Sequence, residues 1–73
     1  MTKACILIKT VPTATDRILE KLAKMSAVRK AYATYGRWDI AVFIDASTDE
    51  IEKVSAAVNV MDGVRSTETL PEA

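Results

Sequence analysis

Histidine is absent from this 73-residue chain, and cysteine occurs once, at Cys5. Cys5 therefore has no partner for an internal disulfide, and one sulfur with no imidazole cannot build a tetrahedral zinc site. Ser-His and Cys-His catalysis lack their base. No pair of carboxylates stands out as an acid/base couple, so no catalytic residue, metal or cofactor is expected. Glycine is nearly as scarce, with only Gly36 and Gly63, which leaves no glycine-rich loop for a phosphate. Charge of one sign is missing too: ten Lys and Arg balance ten Asp and Glu. No global field draws such a chain onto nucleic acid or an anionic membrane. Its apolar runs are too short to span a bilayer, and the start MTKACILIKT lacks the features of a secretory signal. The expectation is a cytoplasmic protein that binds neither membrane nor nucleic acid directly.

A single domain over residues 1–73 is small enough to bury only about 60% of the surface its unfolded chain exposes. Small domains are commonly supplemented by disulfides, a metal or association with other chains. The first two are excluded, so oligomerisation remains.

What the chain does have is an internal repeat. MSAVRKAY from Met25 and MDGVRSTE from Met61 share Met, Val and Arg at an offset of 36 residues. Ahead of each lies a helical pattern: Ile18, Leu19, Leu22 and Met25 share one face, as do Ile51, Val54, Val58 and Met61. Thr13 with Asp16, and Ser47 with Glu50, have capping-box spacing, and Gly63 reads as the stop of the second helix. Apolar runs, ACILIKT and DIAVFIDA, precede the helices, and further strands are expected over 28–35 and 64–70. Strand–helix–strand occurring twice predicts an α+β, ferredoxin-like βαββαβ fold, a four-stranded antiparallel sheet with both helices on one face. The more apolar first and third strands belong at its centre.

Tyr35-Gly36-Arg37-Trp38 fits a two-residue hairpin turn with Gly36 at its first central position. In that register Tyr35 faces Trp38, Thr34 faces Asp39, Ala33 faces Ile40, Tyr32 faces Ala41 and Lys30 faces Phe43. Tyr35 and Trp38 then lie beneath the helices with Ile40, Val42 and Ile44. The opposite face keeps an apolar middle of Cys5, Leu7, Tyr32, Ala41 and Phe43. An exposed patch of this kind usually marks an interface, and these five residues are the expected contact of two sheets packed face to face. The register of the last strand is ambiguous, since Val64 and Leu70 favour one parity and the repeat favours the other.

With these features in place, ACILIKT, AYATYGRWDIAVFI and MDGVRSTETL together resemble the effector-binding (RAM) domain of the Lrp/AsnC transcription regulators. The resemblance covers nearly the whole chain; its most specific parts are Gly36-x-x-Asp39 and the run 63–69. It implies a stand-alone form without the helix-turn-helix DNA-binding domain. It also implies a homodimer that assembles further into an octamer or decamer, binds an amino-acid effector between dimers, and modulates full-length regulators. The ligand positions it implies are Tyr35, Gly36, Arg37, Trp38 and Asp39 of the hairpin, with Thr67 and Thr69 of the last strand. The sequence departs from the family at Thr13 after Pro12, at Ser26-Ala27 before Val28, at Tyr35 before Gly36 and at the bulky Arg37-Trp38 after it.

An amino acid carries an ammonium and a carboxylate, so its pocket needs an acceptor and donors. Asp39 could accept from the ammonium; turn N–H groups, Arg37 or the hydroxyls of Thr67 and Thr69 could donate to the carboxylate. Each residue also has a structural explanation. Asp39 can bond its own turn, Tyr35 and Trp38 can brace a sheet, Gly36 is needed by the turn, and threonines suit strands by propensity. Cys5 reads as an inert thiol. The readings left open are an amino-acid sensor, a small dimeric α+β barrel-type enzyme, and a ligand-free oligomerisation module.

Overall fold

The computed structural model describes residues 2–72. Strand β1 (Thr2–Thr10) leads through a 3-10 turn (Pro12–Ala14) into helix α1 (Thr15–Ala23). Strands β2 (Val28–Ala33) and β3 (Ile40–Ala46), helix α2 (Thr48–Asn59) and strand β4 (Val64–Pro71) follow. The sheet is antiparallel with order β2-β3-β1-β4. This is the expected ferredoxin-like plan, with the most apolar strands at the centre.

One face of the sheet is closed by the helices. Ile6, Ile8, Ile40, Val42 and Ile44 of the central strands pack with Ile18 and Leu22 of α1 and with Ile51, Val54 and Val58 of α2 in a single buried cluster. The alternation of β1 and β3 puts every second residue on this face, and the helical spacing aims one stripe of each helix at it.

The two helix starts differ, although their sequences share a spacing. At α2 the Ser47 hydroxyl accepts the Glu50 N–H at 3.2 Å and donates to the Glu50 carboxylate. At α1 no side chain caps: Pro12–Ala14 form the 3-10 turn and the helix proper begins at Thr15. Proline presets the backbone for that early turn. Thr13 is thereby spent within the turn, and Thr15 instead shares a 2.7 Å hydrogen bond with Thr10. Gly63 has a different task from the expected helix stop, because α2 ends at Asn59. At φ +97° it lies so close to the 3-10 turn that an added Cβ would stand 2.5 Å from the Ala14 Cβ. Its carbonyl accepts the Val11 N–H at 2.9 Å, clasping the two segments.

The internal repeat is structural as well. Val28 donates to the Met25 carbonyl at 3.1 Å, and Val64 to the Met61 carbonyl at 3.2 Å. Immediately afterwards each edge strand takes one extra residue: the pairing slips between Val28 and Lys30 opposite β3, and between Val64 and Ser66 opposite β1. These are β-bulges, at Arg29 and Arg65. The second removes the ambiguity of β4. Val64 packs against the core, whereas Ser66, Glu68 and Leu70 stand beside Lys9, Leu7 and Cys5 on the open face.

The hairpin keeps the expected pairs Ala33/Ile40, Tyr32/Ala41 and Lys30/Phe43, but its tip departs from the two-residue turn. Its outermost bond joins the Thr34 N–H to the Asp39 carbonyl at 2.9 Å, leaving residues 35–38 as the loop. Two contacts pull the chain out of strand alternation here. The Asp39 N–H donates to the Ile8 carbonyl at 2.9 Å, and the Thr34 hydroxyl to the Trp38 carbonyl at 2.7 Å. As a result Tyr35 does not brace Trp38 beneath the helices; it is fully exposed, at 105%. Gly36, at φ +101°, supplies the left-handed residue the loop requires.

Candidate functional site

Two strands and the hairpin loop meet at the hairpin end of the open face. β1 contributes Lys9, β4 contributes Ser66 and Glu68, and the hairpin loop contributes Arg37 and Trp38, around a polar concavity of about 370 Å³. Lys9 and Ser66 are brought together because they are ladder partners. Trp38 is half-buried at its side. The concavity offers two cations, one carboxylate, one hydroxyl and an indole. That set can bind a small molecule bearing both charges through paired hydrogen bonds and an apolar wall.

Asp39 borders this concavity through Lys9. Its carboxylate accepts the Thr10 backbone N–H at 2.9 Å and pairs with the Lys9 ammonium at 3.6 Å. The Thr10 bond holds the Asp39 carboxyl below its usual range; partial desolvation works against this and the positive charge of Lys9 adds to it. Asp39 thus fastens β3 to the end of β1, and its side chain bonds the neighbouring strand instead of its own turn.

The expected site residues therefore divide. Arg37 and Trp38 line the concavity, Asp39 meets it only through its ion pair with Lys9, Gly36 supplies the positive φ of the loop, and Tyr35 is exposed at the loop tip. Thr67 and Thr69 are elsewhere: the Thr67 hydroxyl donates to the Asn59 side-chain carbonyl at 2.6 Å, and Thr69 shares a 3.1 Å bond with Ser55. Both serve the packing of β4 against α2, on the face opposite Lys9. Lys9, Ser66 and Glu68 were not singled out in the sequence. The bulge at Arg65 hides Ser66 and Glu68, because it exchanges the faces of the β4 residues that follow it, whereas Lys9 follows the plain alternation of β1.

The middle of the open face is apolar as expected. Cys5 pairs with Phe43, and Leu7 and Tyr32 both pair with Ala41. The Tyr32 and Phe43 rings meet at 5.7 Å between centroids, and both remain partly open to solvent, at 45% and 40%. Leu70, at 46%, extends this patch; its outward orientation was not legible before the bulge was known. Burial pushes the Cys5 thiol above its ordinary pKa, which keeps it protonated. Among the described residues no three His, Cys, Asp or Glu side chains gather as metal ligands.

Residues 3–71 match the Lrp/AsnC ligand binding domain. The chain belongs to the Lrp/AsnC ligand-binding domain family. Among solved structures, this Lrp/AsnC domain is similar to FFRP-DM1, with 25% identity over 100% of both chains and a TM-score of 0.91. It is also similar to AsnC of E. coli, at 27% identity and TM-score 0.84 over 97% of this chain and 50% of that one. It thus spans about half of AsnC. TTHA0845 from Thermus thermophilus, 24% identical over 100% of this chain and 94% of that one, shares the fold at a TM-score of 0.92. No curated protein matches the sequence. The family identifies a ligand-binding module related to transcription regulators. Among the described residues no helix is long and apolar enough to cross a membrane.

Proposed function

We propose that this Lrp/AsnC domain senses an amino acid at the hairpin end of its sheet and passes the signal on through its assembly. The supporting observation is the polar concavity between Lys9, Arg37, Trp38, Ser66 and Glu68, beside the Gly36/Asp39 hairpin. Lys9 and Arg37 can take the carboxylate, Glu68 the ammonium, and Trp38 an apolar side chain. Asp39 tunes the site by holding Lys9. The concavity is open on one side, and a second dimer closing over it fits the exposed Tyr35 at the loop tip. Within each dimer, the sheets pack through Cys5, Leu7, Tyr32, Ala41 and Phe43. The assembled ring, an octamer or decamer, co-assembles with full-length regulators of the family.

Isothermal titration of the assembled protein with each of the twenty amino acids tests the sensor reading. Heat with one or a few of them, reduced in Glu68→Gln, is expected. Silence with all of them at about millimolar concentration, an affinity floor of roughly 4 kcal/mol, would sink it. The apolar middle of the open face also favours a second reading, a ligand-free oligomerisation module. That reading survives silent titrations if the assembly persists.

A further inference from the structure

The hairpin loop holds a large aromatic side chain where nothing in its own chain covers it. Tyr35 is 105% exposed, and Arg37 two positions on is exposed as well. The loop beneath them is fastened at three points: the Thr34 N–H to the Asp39 carbonyl, the Thr34 hydroxyl to the Trp38 carbonyl, and the Asp39 N–H to the Ile8 carbonyl. An aromatic ring on a fixed loop loses little freedom when a partner covers it, which suits it as a binding anchor. Among the described residues the ion pairs are Lys9 with Asp39 and Arg17 with Asp62, so Arg37 has no carboxylate partner there.

A complementary recess lies at the opposite end of the molecule. α1 follows the hairpin end of β1 and runs back to Met25, and β3 runs from the hairpin to Ser47 and α2. The Asp45 N–H donates to the Ala27 carbonyl at 3.4 Å, which joins the two segments away from the loop. Between them Met25, Ala27 and Val54 line the apolar part of a recess of about 320 Å³, and Ser26, Glu50 and Lys53 its polar part. These walls come from α2 and the turn after α1, and none belongs to the open face of the sheet. The first turns of α2 carry Asp49, Glu50 and Glu52 against a single ammonium, that of Lys53. The recess is thus apolar and bordered by negative charge, while the loop tip is aromatic and positive.

We propose that Tyr35 of one chain seats in this recess of a second copy. Its ring covers Met25, Ala27 and Val54, its hydroxyl reaches Glu50 and Lys53, and Arg37 faces the acidic start of α2. Knob and recess are different patches, so the contact is heterologous and repeats from copy to copy until it closes. One side chain in one recess is far smaller than a standard interface. A face-to-face dimer, however, carries two loops and two recesses, so neighbouring dimers make two such contacts at once, and each raises the effective concentration of the other. The proposal rests on the reading that dimers assemble further; it needs no ligand at the hairpin.

The test has two readouts on the intact, assembled chain. p-Benzoylphenylalanine in place of Tyr35 keeps an aromatic knob, and irradiation should give a band of two linked chains. Mass spectrometry should place the link at Met25, Ala27 or Val54 of the other chain. In sedimentation velocity, Tyr35→Ala and Ser26→Trp, which fills the recess from its exposed rim, should each weaken association of dimers about tenfold or more. The expected species is then near twice the 8.0 kDa chain mass, with unchanged circular dichroism, since both altered side chains are exposed. Links to the hairpin loop of the other chain, no linked chains, or an undiminished assembly in either variant overturns the proposal while the larger assembly stands. A natural chain that stops at the dimer overturns both.

Discussion

The carboxylate of Asp39 accepts the backbone N–H of Thr10 at 2.9 Å, so a side chain from the residue just before β3 finishes the hydrogen bonding of β1 where its ladder to β3 runs out. The bond keeps the Asp39 carboxyl below its ordinary value of 3.8. A carboxyl depressed in the folded state stabilises the fold fully above its unfolded pKa, and that contribution is lost as pH falls through the folded value. Thermal melts between about pH 2 and 5 should therefore show a shallower acid loss for Asp39→Asn than for the natural chain, with little difference in slope above about pH 5. Parallel acid limbs would refute this role for Asp39.

The two glycines make opposite demands on space. Both have positive φ, but an added Cβ meets nothing at Gly36 and stands 2.5 Å from the Ala14 Cβ at Gly63. Gly36→Ala should cost about 1–2 kcal/mol, from backbone conformation alone. Gly63→Ala adds a steric clash with the 3-10 turn and should cost about 3 kcal/mol or more. Urea denaturation of the two variants measures the difference, and equal midpoints would contradict the close approach.

Capping supplies a similar contrast. Ser47→Ala removes the acceptor of the Glu50 N–H and should destabilise by about 1 kcal/mol. Thr13→Ala, at a residue that caps nothing, should stay within about 0.5 kcal/mol of the natural chain.

Phe43 decides whether the open face is covered. It is 40% exposed and lies opposite Lys30 and Cys5, outside the buried core. Phe43→Glu should leave the monomer's circular dichroism intact while breaking the face-to-face contact. Sedimentation velocity then reads a species near the 8.0 kDa chain mass. An undiminished assembly would move the interface elsewhere.

The fold was legible because its determinants are periodic and redundant. Ile6, Ile8, Ile40, Val42 and Ile44 alternate on two strands, Ile18, Leu22, Ile51, Val54 and Val58 mark two helical stripes, and the repeat at Met25 and Met61 doubles the pattern. The site was less so. Arg37 and Trp38 came with the family resemblance, whereas the position of Tyr35 depended on where Thr34 and Asp39 stop pairing, which is set by bonds to Ile8 and Trp38 carbonyls. Backbone bonds of that kind leave no mark on residue type. The sides of Thr67 and Thr69 were open for a related reason, since one extra residue at Arg65 sets the parity of the rest of β4.

The same extra residues, Arg29 and Arg65, make each edge strand carry a phase slip. Upstream of the slip, Val28 and Val64 keep time with the core; downstream, the strand starts its count afresh. A deletion in a strand ordinarily turns every later side chain to the wrong face. Deleting Arg29 or Arg65 alone would leave Val28, Ala31, Val64, Thr67 and Thr69 facing inward and Lys30, Tyr32, Ser66, Glu68 and Leu70 facing outward. In a chain this short, those are the two places within the edge strands where length can change by one residue without rewriting either surface of the sheet.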